Sequence, residues 1–291
     1  MKKHLISVII PVYDIEQEYL ATCFKSIIEN GYDNYEVLVV NDSSKNFNTR
    51  KFLNEFINNN KQFKLINLTG LNKGPGHARN VGLEQASGEI IIYIDGDDYV
   101  LSGMFNRVNE IFNQYPNLDI FSFANKMLMI NGMINQTNHF IFNTNEPVSV
   151  DTWPDALKDK PSVWAKAYAK SFLVNNKIKF INEDTYMEDL CYFFLTFAYA
   201  KNIMFKNEVF YILRENINSR ALSAFSFNKL KSLFLGLMKT YEQIKHLESY
   251  ITKNYGMIFN ELWKKYSSMV EHDEQFNQFS LLVNKFKQQI K

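Results

Sequence analysis

Four short β-branched runs, alternating with stretches of helical spacing, leave this chain few architectures to choose from. Residues 5–12 (Leu-Ile-Ser-Val-Ile-Ile-Pro-Val) are a continuous apolar run of strand length. Such a run reads as a strand buried on both faces, as in a parallel sheet. Residues 16–30 follow with Leu20, Cys23, Phe24, Ile27 and Ile28 at helical spacing, and Gly31 supplies a stop. Residues 36–40, 63–68 and 89–94 are further strands by the same reading. A polar helix is expected over 48–59, and another from the loop at 72–76 to about Ser87. This alternation predicts βαβ units and a parallel sheet covered by helices.

Ligands of such sheets bind beyond the carboxyl ends of the strands. Acidic residues stand at those places: Asp14 after the first run, Asp42 after the second, and Asp95, Asp97 and Asp98 after the fourth. Three carboxylates within four residues repel one another unless a cation sits among them. Mg²⁺ and Mn²⁺ take oxygen ligands, often one or two carboxylates plus substrate phosphates. An exposed acidic turn is the competing reading. An EF-hand is excluded, because Tyr99-Val100-Leu101 offers no oxygen ligands where the loop would need them.

Two further elements bear on chemistry. Asn72-Lys73-Gly74-Pro75-Gly76-His77-Ala78-Arg79-Asn80 could cradle phosphate at a helix start. The dinucleotide pattern G-x-G-x-x-G fails, since Arg79 takes the third glycine position, and no P-loop is present. Lys73 and Arg79 can still meet an anionic phosphate. The alternative is an ordinary loop and cap. Glu188-Asp189 opens an apolar helix over 186–200, as a complement to the helix dipole or as a general base.

The second half is less regular, with strands over 119–142 around a turn at Asn131-Gly132, a short helix before 176 and a strand over 203–213. From about Ser226 the texture changes to three amphipathic helices, marked by Leu230, Leu233, Phe234 and Leu237, then Ile258, Phe259, Leu262 and Trp263, then Phe276, Phe279, Leu282 and Val283. A boundary is therefore expected near 226, with an α/β unit over residues 1–225. Residues 226–291 form a helical extension. Three roles are open for it: packing on the catalytic domain, pairing with a second copy as a homodimer, or contact with an anionic membrane. Residues 227–291 hold ten lysines against six acidic residues, but the lysines are dispersed rather than clustered on one face.

Composition narrows the classes. Apolar residues make up 46% of the chain, enough for a large core, and a net charge of +1 gives no basic stripe of the kind a nucleic-acid partner demands. Cys23 and Cys191 lie among apolar neighbours without metal-site spacing and read as buried free thiols of a reducing compartment. The first apolar run ends at Tyr13-Asp14 with no small-residue cleavage site, so it reads as a strand rather than a signal peptide. The apolar stretch at 190–200 is too short to cross a bilayer. A cytoplasmic protein is expected, with peripheral contact at the inner face of the membrane left open.

Taken in order, these motifs resemble those of the family 2 glycosyltransferases of GT-A fold. Val8-Ile9-Ile10-Pro11-Val12-Tyr13-Asp14 is similar to their opening strand, and Val39-Val40-Asn41-Asp42-Ser43-Ser44 to their V-V-D-D-G-S. Gly74 to Asn80 with Gly82 resembles G-x-x-x-A-R-N-x-G, and Asp95-Gly96-Asp97-Asp98 resembles D-x-D-D. Trp164-x-Lys166-x-Tyr168, Glu188-Asp189, and Tyr211-x-x-Arg214 with Ser219 resemble the later motifs. The resemblance covers about residues 5–223. Asn41, Ser43 and Asp14 depart from the family pattern, and the Q-x-x-R-W of processive synthases is absent.

The resemblance implies a Rossmann-like, mostly parallel GT-A sheet flanked by helices, a catalytic domain over 1–225 with 1–100 as its nucleotide-binding half and 101–225 as its acceptor-side half, and an inverting transfer from a UDP-sugar to a glycan, glycolipid or glycoprotein acceptor. It implies that Pro11, Tyr13, Asp14 and Asp42 line the uridine, with Lys73 and Arg79 near the base or diphosphate. Asp97 would face ribose and metal, Asp98 would hold Mn²⁺ or Mg²⁺, and Asp95 would support that pair. Asp189 would be the base beside Glu188, and Arg214 would close over the diphosphate. Two other classes compete: a nucleotidyltransferase, and a silent nucleotide-sugar-binding protein on the same scaffold. The first normally needs a basic glycine-rich loop after the first strand, where this chain has Tyr13-Asp14-Ile15-Glu16. The retained acidic motifs argue against the second.

Overall fold

The computed structural model describes residues 1–135, 142–159, 161–181, 185–216, 224–270, 272 and 274–290. Ser219, part of the closing motif, lies outside them. The first half follows the expected alternation: β1 (Ile6–Val12), α1 (Gln17–Ile28), β2 (Tyr35–Asn41), α2 (Phe47–Asn58), β3 (Phe63–Asn67), α3 (Pro75–Gln85) and β4 (Ile90–Tyr93). All seven residues of β1 and all four of β4 are buried, which is why these strands read as unbroken apolar runs. α1 turns Leu20, Cys23, Phe24 and Ile27 inward. Phe24 meets the rings of Phe52, Phe56 and Phe63 at 5.0–6.0 Å. Each such side chain stabilises the fold by about 1.5–3 kcal/mol through burial.

The second half comprises β5 (Tyr99–Val100), α4 (Met104–Gln114), β6 (Ile120–Leu128), β7 (Ile134–Asn135), β8 (Lys166–Ala169), α5 (Lys170–Asn175), α6 (Glu188–Tyr199) and β9 (Ile203–Arg214). Neither β5 nor α4 was expected. The signal for α4 is present, since Met104, Phe105, Val108, Ile111 and Phe112 are its buried face at helical spacing. β5 has two residues, too few for any period to show.

Among the described residues the strands form one sheet in the order β3-β2-β1-β4-β8-β6-β9-β5, with β7 on β6. It is parallel from β3 to β4. Beyond β4 it is mixed: β8 runs antiparallel to both β4 and β6, while β9 is parallel to β6. A long connection, rather than a crossover helix, leads the chain into β8, so nothing requires that strand to be parallel.

The chain ends in α7 (Phe227–Ile244), α8 (Tyr250–Ser267) and α9 (Phe276–Gln289). Ser226 and Ser249 cap the first two by accepting bonds from Lys229 N and Thr252 N. Phe234 of α7 meets Phe259 and Trp263 of α8 edge-on at 5.0 and 4.9 Å, and Phe259 meets Phe286 of α9 at 4.9 Å. α7 also lies along α6. Cys23 and Cys191 are buried and free. Among the described residues, no helix is long and apolar enough to cross a membrane.

Candidate functional site

The carboxyl ends of β1, β2 and β4 share one rim, as parallel register requires. Tyr13 leaves β1 with its side chain 39% exposed, and Pro11 is buried in β1 opposite Val40. Asp14 has a left-handed backbone, φ 49°. Its Oδ1 accepts the N–H groups of Lys45 and Asn46 at 2.6 and 2.7 Å. Asp14 thus ties down the loop ahead of α2, a set of partners that position in the chain could not reveal.

Asp42 is 3% exposed at the end of β2. Its Oδ2 accepts the N–H groups of Lys73 and Gly74, both at 2.9 Å. Its Oδ1 is buried with no partner among the described residues. The Lys73 side chain is exposed, so this residue meets Asp42 through its backbone. Gly74 has φ 88°, a conformation that favours glycine, and Pro75 begins α3 directly after it.

The two departures beside Asp42 have local accounts. Asn41 donates from Nδ2 to Asn67 Oδ1 at 2.8 Å and accepts Ser44 N at 3.1 Å; a carboxylate could only accept. Ser43 occupies the family's glycine position at φ 63° and donates its hydroxyl to Leu68 O.

Arg79 projects from α3 and is 2% exposed. The sequence placed it near base or diphosphate; the structure seats it among three carboxylates. Nη2 lies 2.7 Å from Asp95 Oδ1, and Nη1 lies 2.9 Å from Glu188 Oε1 and 3.0 Å from Asp189 Oδ1. The reason is the docking of α3 on the segment before α6: Asn80 exchanges two hydrogen bonds with the Phe180 backbone, at 2.9 and 2.8 Å. That brings the start of α6 within reach of the guanidinium.

Burial drives the Asp189 carboxyl up, to about 8; Glu188 and Asp95 add to the rise, and Arg79 opposes it. Burial also works against the Arg79 charge, but Asp95, Asp189 and Glu188 outweigh it and hold its pKa well above the usual value. The two shifts are compatible, because one guanidinium cannot neutralise three carboxylates.

The Asp95-Gly96-Asp97-Asp98 turn divides its carboxylates. Asp98 is buried, and both of its oxygens are engaged: Oδ2 accepts the Tyr211 hydroxyl at 2.8 Å and Oδ1 accepts Arg214 N at 2.9 Å. Asp95 and Asp97 stay partly exposed, and Asp97 Oδ2 accepts a long 3.5 Å contact from Asn216 Nδ2. Burial and then the Asp95 charge raise the Asp97 pKa. Burial, then Asp97 and Asp95, hold Asp98 well above the carboxylate range.

Crowded carboxylates of this kind fit a hard divalent cation. Asp97 and Asp95 are the more open of the three, while each Asp98 oxygen already accepts one hydrogen bond and keeps a second lone pair that a cation could use. No group of three or more protein side chains forms a closed metal cage among the described residues, so a bound cation would need substrate or water oxygens.

Arg214 donates from Nε to Asp97 O and from Nη2 to Tyr19 O at 2.7 Å, and its guanidinium lies 4.5 Å from the centroid of the Tyr19 ring. In this structure it braces the acidic turn from outside. Tyr211 was legible only as part of a motif. Its hydroxyl joins Asp98 to the Asp95 backbone N–H, which donates to it at 3.1 Å, and Trp164 stacks on its ring at 5.2 Å.

The chain is similar to several known glycosyltransferases. EpsJ of Bacillus subtilis (strain 168), named an uncharacterized glycosyltransferase, is 26% identical over 227 residues, which cover 74% of this chain and 62% of EpsJ. The chain thus spans under two thirds of that relative's length. The poly(ribitol-phosphate) beta-glucosyltransferase of Bacillus spizizenii is 27% identical over 206 residues, 68% of this chain and 30% of that protein.

Among solved structures, S. aureus TarS 1-349 in complex with UDP-GlcNAc superposes with a TM-score of 0.73 at 22% identity, covering 93% of this chain and 74% of that one. Mannosyltransferase PcManGT from Pyrobaculum calidifontis, in complex with GDP-Man and Mn²⁺, gives 0.56 at 16% identity, covering 98% of this chain and 80% of that one. At these identities the structural likeness shows the GT-A fold. The sequence model of Glycosyl transferase family 2 matches residues 7–172, over half of the chain, from β1 through the acidic turn to α5. On that match the chain belongs to glycosyl transferase family 2.

Proposed function

We propose that this chain transfers one sugar from a UDP-sugar to a hydroxyl of a glycan, glycolipid or glycoprotein acceptor, with inversion at the anomeric carbon. The observation that carries the reading is the single guanidinium of Arg79 joining Asp95 of the acidic turn to Asp189 at the start of α6. It fixes a cation-binding carboxylate and a candidate base on opposite sides of one buried charge. A donor diphosphate beside Asp95 and Asp97 would then place its anomeric carbon within reach of Asp189.

Each residue has a stated part. The free Oδ1 of Asp42 accepts an imide N–H of the base, and Tyr13 offers its ring to the base face. Asp97 and Asp98, supported by Asp95, would hold Mn²⁺ or Mg²⁺. Held there, the cation would supply charge neutralisation to the departing diphosphate. The Asp189 carboxylate takes the proton of the acceptor hydroxyl as its oxygen attacks the anomeric carbon from the face opposite the leaving UDP. The carbon–oxygen bond to the diphosphate breaks, and UDP leaves with that electron pair. Asp98, Tyr211 and Arg214 hold the turn.

The relatives support the donor class. TarS was solved with UDP-GlcNAc, PcManGT with GDP-Man and Mn²⁺, and the Bacillus spizizenii enzyme is a poly(ribitol-phosphate) glucosyltransferase. A bacterial surface glycan built on the cytoplasmic side is the acceptor class that fits. Purified protein incubated with a panel of UDP-sugars and Mn²⁺ should release UDP. Pyrophosphate release from a nucleoside triphosphate and a sugar 1-phosphate, without UDP release from any donor, would replace this reading with nucleotidyl transfer.

A further inference from the structure

The turn that delivers Glu188 and Asp189 is held from outside the sheet. Met187, immediately before α6, has φ 58° and ψ 44°. A side chain other than glycine persists in this left-handed region only where its surroundings hold it. The turn at Met187 sets the direction in which α6 starts, and so aims both carboxylates at Arg79.

The restraint comes from the C-terminal helices. Tyr186 N–H donates to Ser232 Oγ on α7 at 3.0 Å. Lys229 Nζ lies 4.9 Å from the centroid of the Tyr186 ring. Phe225 meets that ring at 5.8 Å and itself stacks at 5.3 Å on Tyr266 of α8. Four residues after Ser232, on the same helix face, stands Gly236. A Cβ there would come 2.7 Å from Thr185 Cγ2 and 3.1 Å from Cys191 Sγ. Thr185 and Cys191 bracket the Met187-Glu188-Asp189 turn, so α7 presses on both of its flanks at a separation only glycine permits.

We propose that α7 is a positioning element of the active site, in which Ser232 and Gly236 set where Asp189 stands relative to the donor. The C-terminal helices then belong to the catalytic unit and are not an appendage to it. This rests on Asp189 being the base. Misplacing a reacting group by about 1 Å can cost on the order of 10²-fold in rate, so a small displacement of α7 is felt in turnover and not in nucleotide binding.

The test uses the full chain with Gly236→Ala, Ser232→Ala and Ser232→Thr. Turnover is read as UDP released from the panel donor that the wild type uses best, and binding is read as the Kd for UDP with Mn²⁺. Gly236→Ala should lower kcat by roughly tenfold or more, while KM and Kd stay within about threefold. Ser232→Ala should show a smaller loss that Ser232→Thr restores.

In an Asp189→Asn background the same changes should leave the residual rate unaltered, because the group they misplace no longer acts. A purely structural role would lower folded yield and melting temperature but not the rate per folded molecule. Equal proportional losses with and without Asp189, or an unchanged kcat in both Gly236→Ala and Ser232→Ala, would overturn the proposal. If Gly236→Ala fails to fold, the two Ser232 variants make the same comparison.

Hydrogen–deuterium exchange across 185–190 gives a readout independent of activity. It should quicken in Ser232→Ala while β1 is unchanged, and no change would equally overturn the proposal. Wild-type turnover alone decides the functional reading, so the two failures are told apart.

Discussion

Arg79 Nη1 stands 3.0 Å from Asp189 Oδ1, joining residues 110 positions apart in the chain. The contact couples α3 to the helix that carries the candidate base. Its energetics are those of a buried charge shared among several opposite charges. Removing one partner costs far more than the pair contributes to stability, because the remaining groups are left buried and uncompensated. The geometry of the site is therefore stiff, and changes at its corners should separate cleanly into binding and rate effects.

Asp189→Asn keeps the size and the hydrogen-bonding oxygen that Arg79 needs but cannot take a proton. Sugar transfer should fall by roughly 10²–10⁴-fold. UDP binding, measured by titration calorimetry with Mn²⁺, should stay within a few-fold. A variant that transfers at the wild-type rate would remove Asp189 from the mechanism.

The base must be ionised to act. Burial, with Glu188 and Asp95 behind it, raises the Asp189 pKa to about 8 despite Arg79. The active form therefore exists above that pKa and is lost as pH falls through it. A plot of log kcat/KM, which reports the free enzyme, should climb from about pH 6 to about pH 8 and then level. It should also lose this slope in Asp189→Asn. A profile flat across that range in the wild type would show that no carboxyl with a raised pKa governs turnover.

Asp97 and Asp98 should behave differently although they are neighbours. Asp97→Ala should abolish the Mn²⁺-dependent part of UDP affinity with little change in melting temperature. Asp98→Ala strands the Tyr211 hydroxyl and the Arg214 N–H, at about 1–3 kcal/mol for each buried unpaired group. It should lower the melting temperature clearly. Equal thermal stability of the two variants would contradict this division of labour. Calorimetry of UDP binding in chelator, compared with Mn²⁺, tests the cation directly; equal affinity would exclude it.

Asp42 should select the base. Its unpartnered Oδ1 can accept the imide N–H of uracil, whereas the matching nitrogen of cytosine carries no hydrogen. Wild-type protein should bind UDP at least about tenfold more tightly than CDP, the size of one hydrogen bond to a charged group. Asp42→Ala should erase the difference. Indistinguishable Kd values for UDP and CDP in the wild type would place the base elsewhere.

The features that could be read without coordinates are those written in local order. β1 and β4 are buried throughout and β2 everywhere but Glu36, so their residues form nearly continuous apolar runs. The C-terminal helices show their spacing because each needs an apolar stripe. The acidic turn and Asp42 were legible because parallel topology puts strand ends on one rim. α4 escaped although its spacing is plain, and β5 escaped because two residues carry no period.

Partnership, by contrast, is a matter of tertiary distance. Asp98 and Asp97 are adjacent in the chain and alike in chemistry, yet Asp98 is buried against Tyr211 and Arg214 while Asp97 stays partly exposed. Arg79 could be named as a cation near the site, but which anions surround it depends on how α3 docks against Phe180 and the start of α6. Gly236 carries no signal in the sequence, because its closeness to Thr185 and Cys191 exists only where α7 packs. Periodicity and motif order are short-range properties, fixed by backbone geometry and burial, so the amino-acid order alone decided the class of fold and the rim that holds the site. The sharing of charges, the occupancy of each carboxylate oxygen and the support beneath the base depend on contacts across a hundred residues or more, and these exist only once the chain has closed on itself.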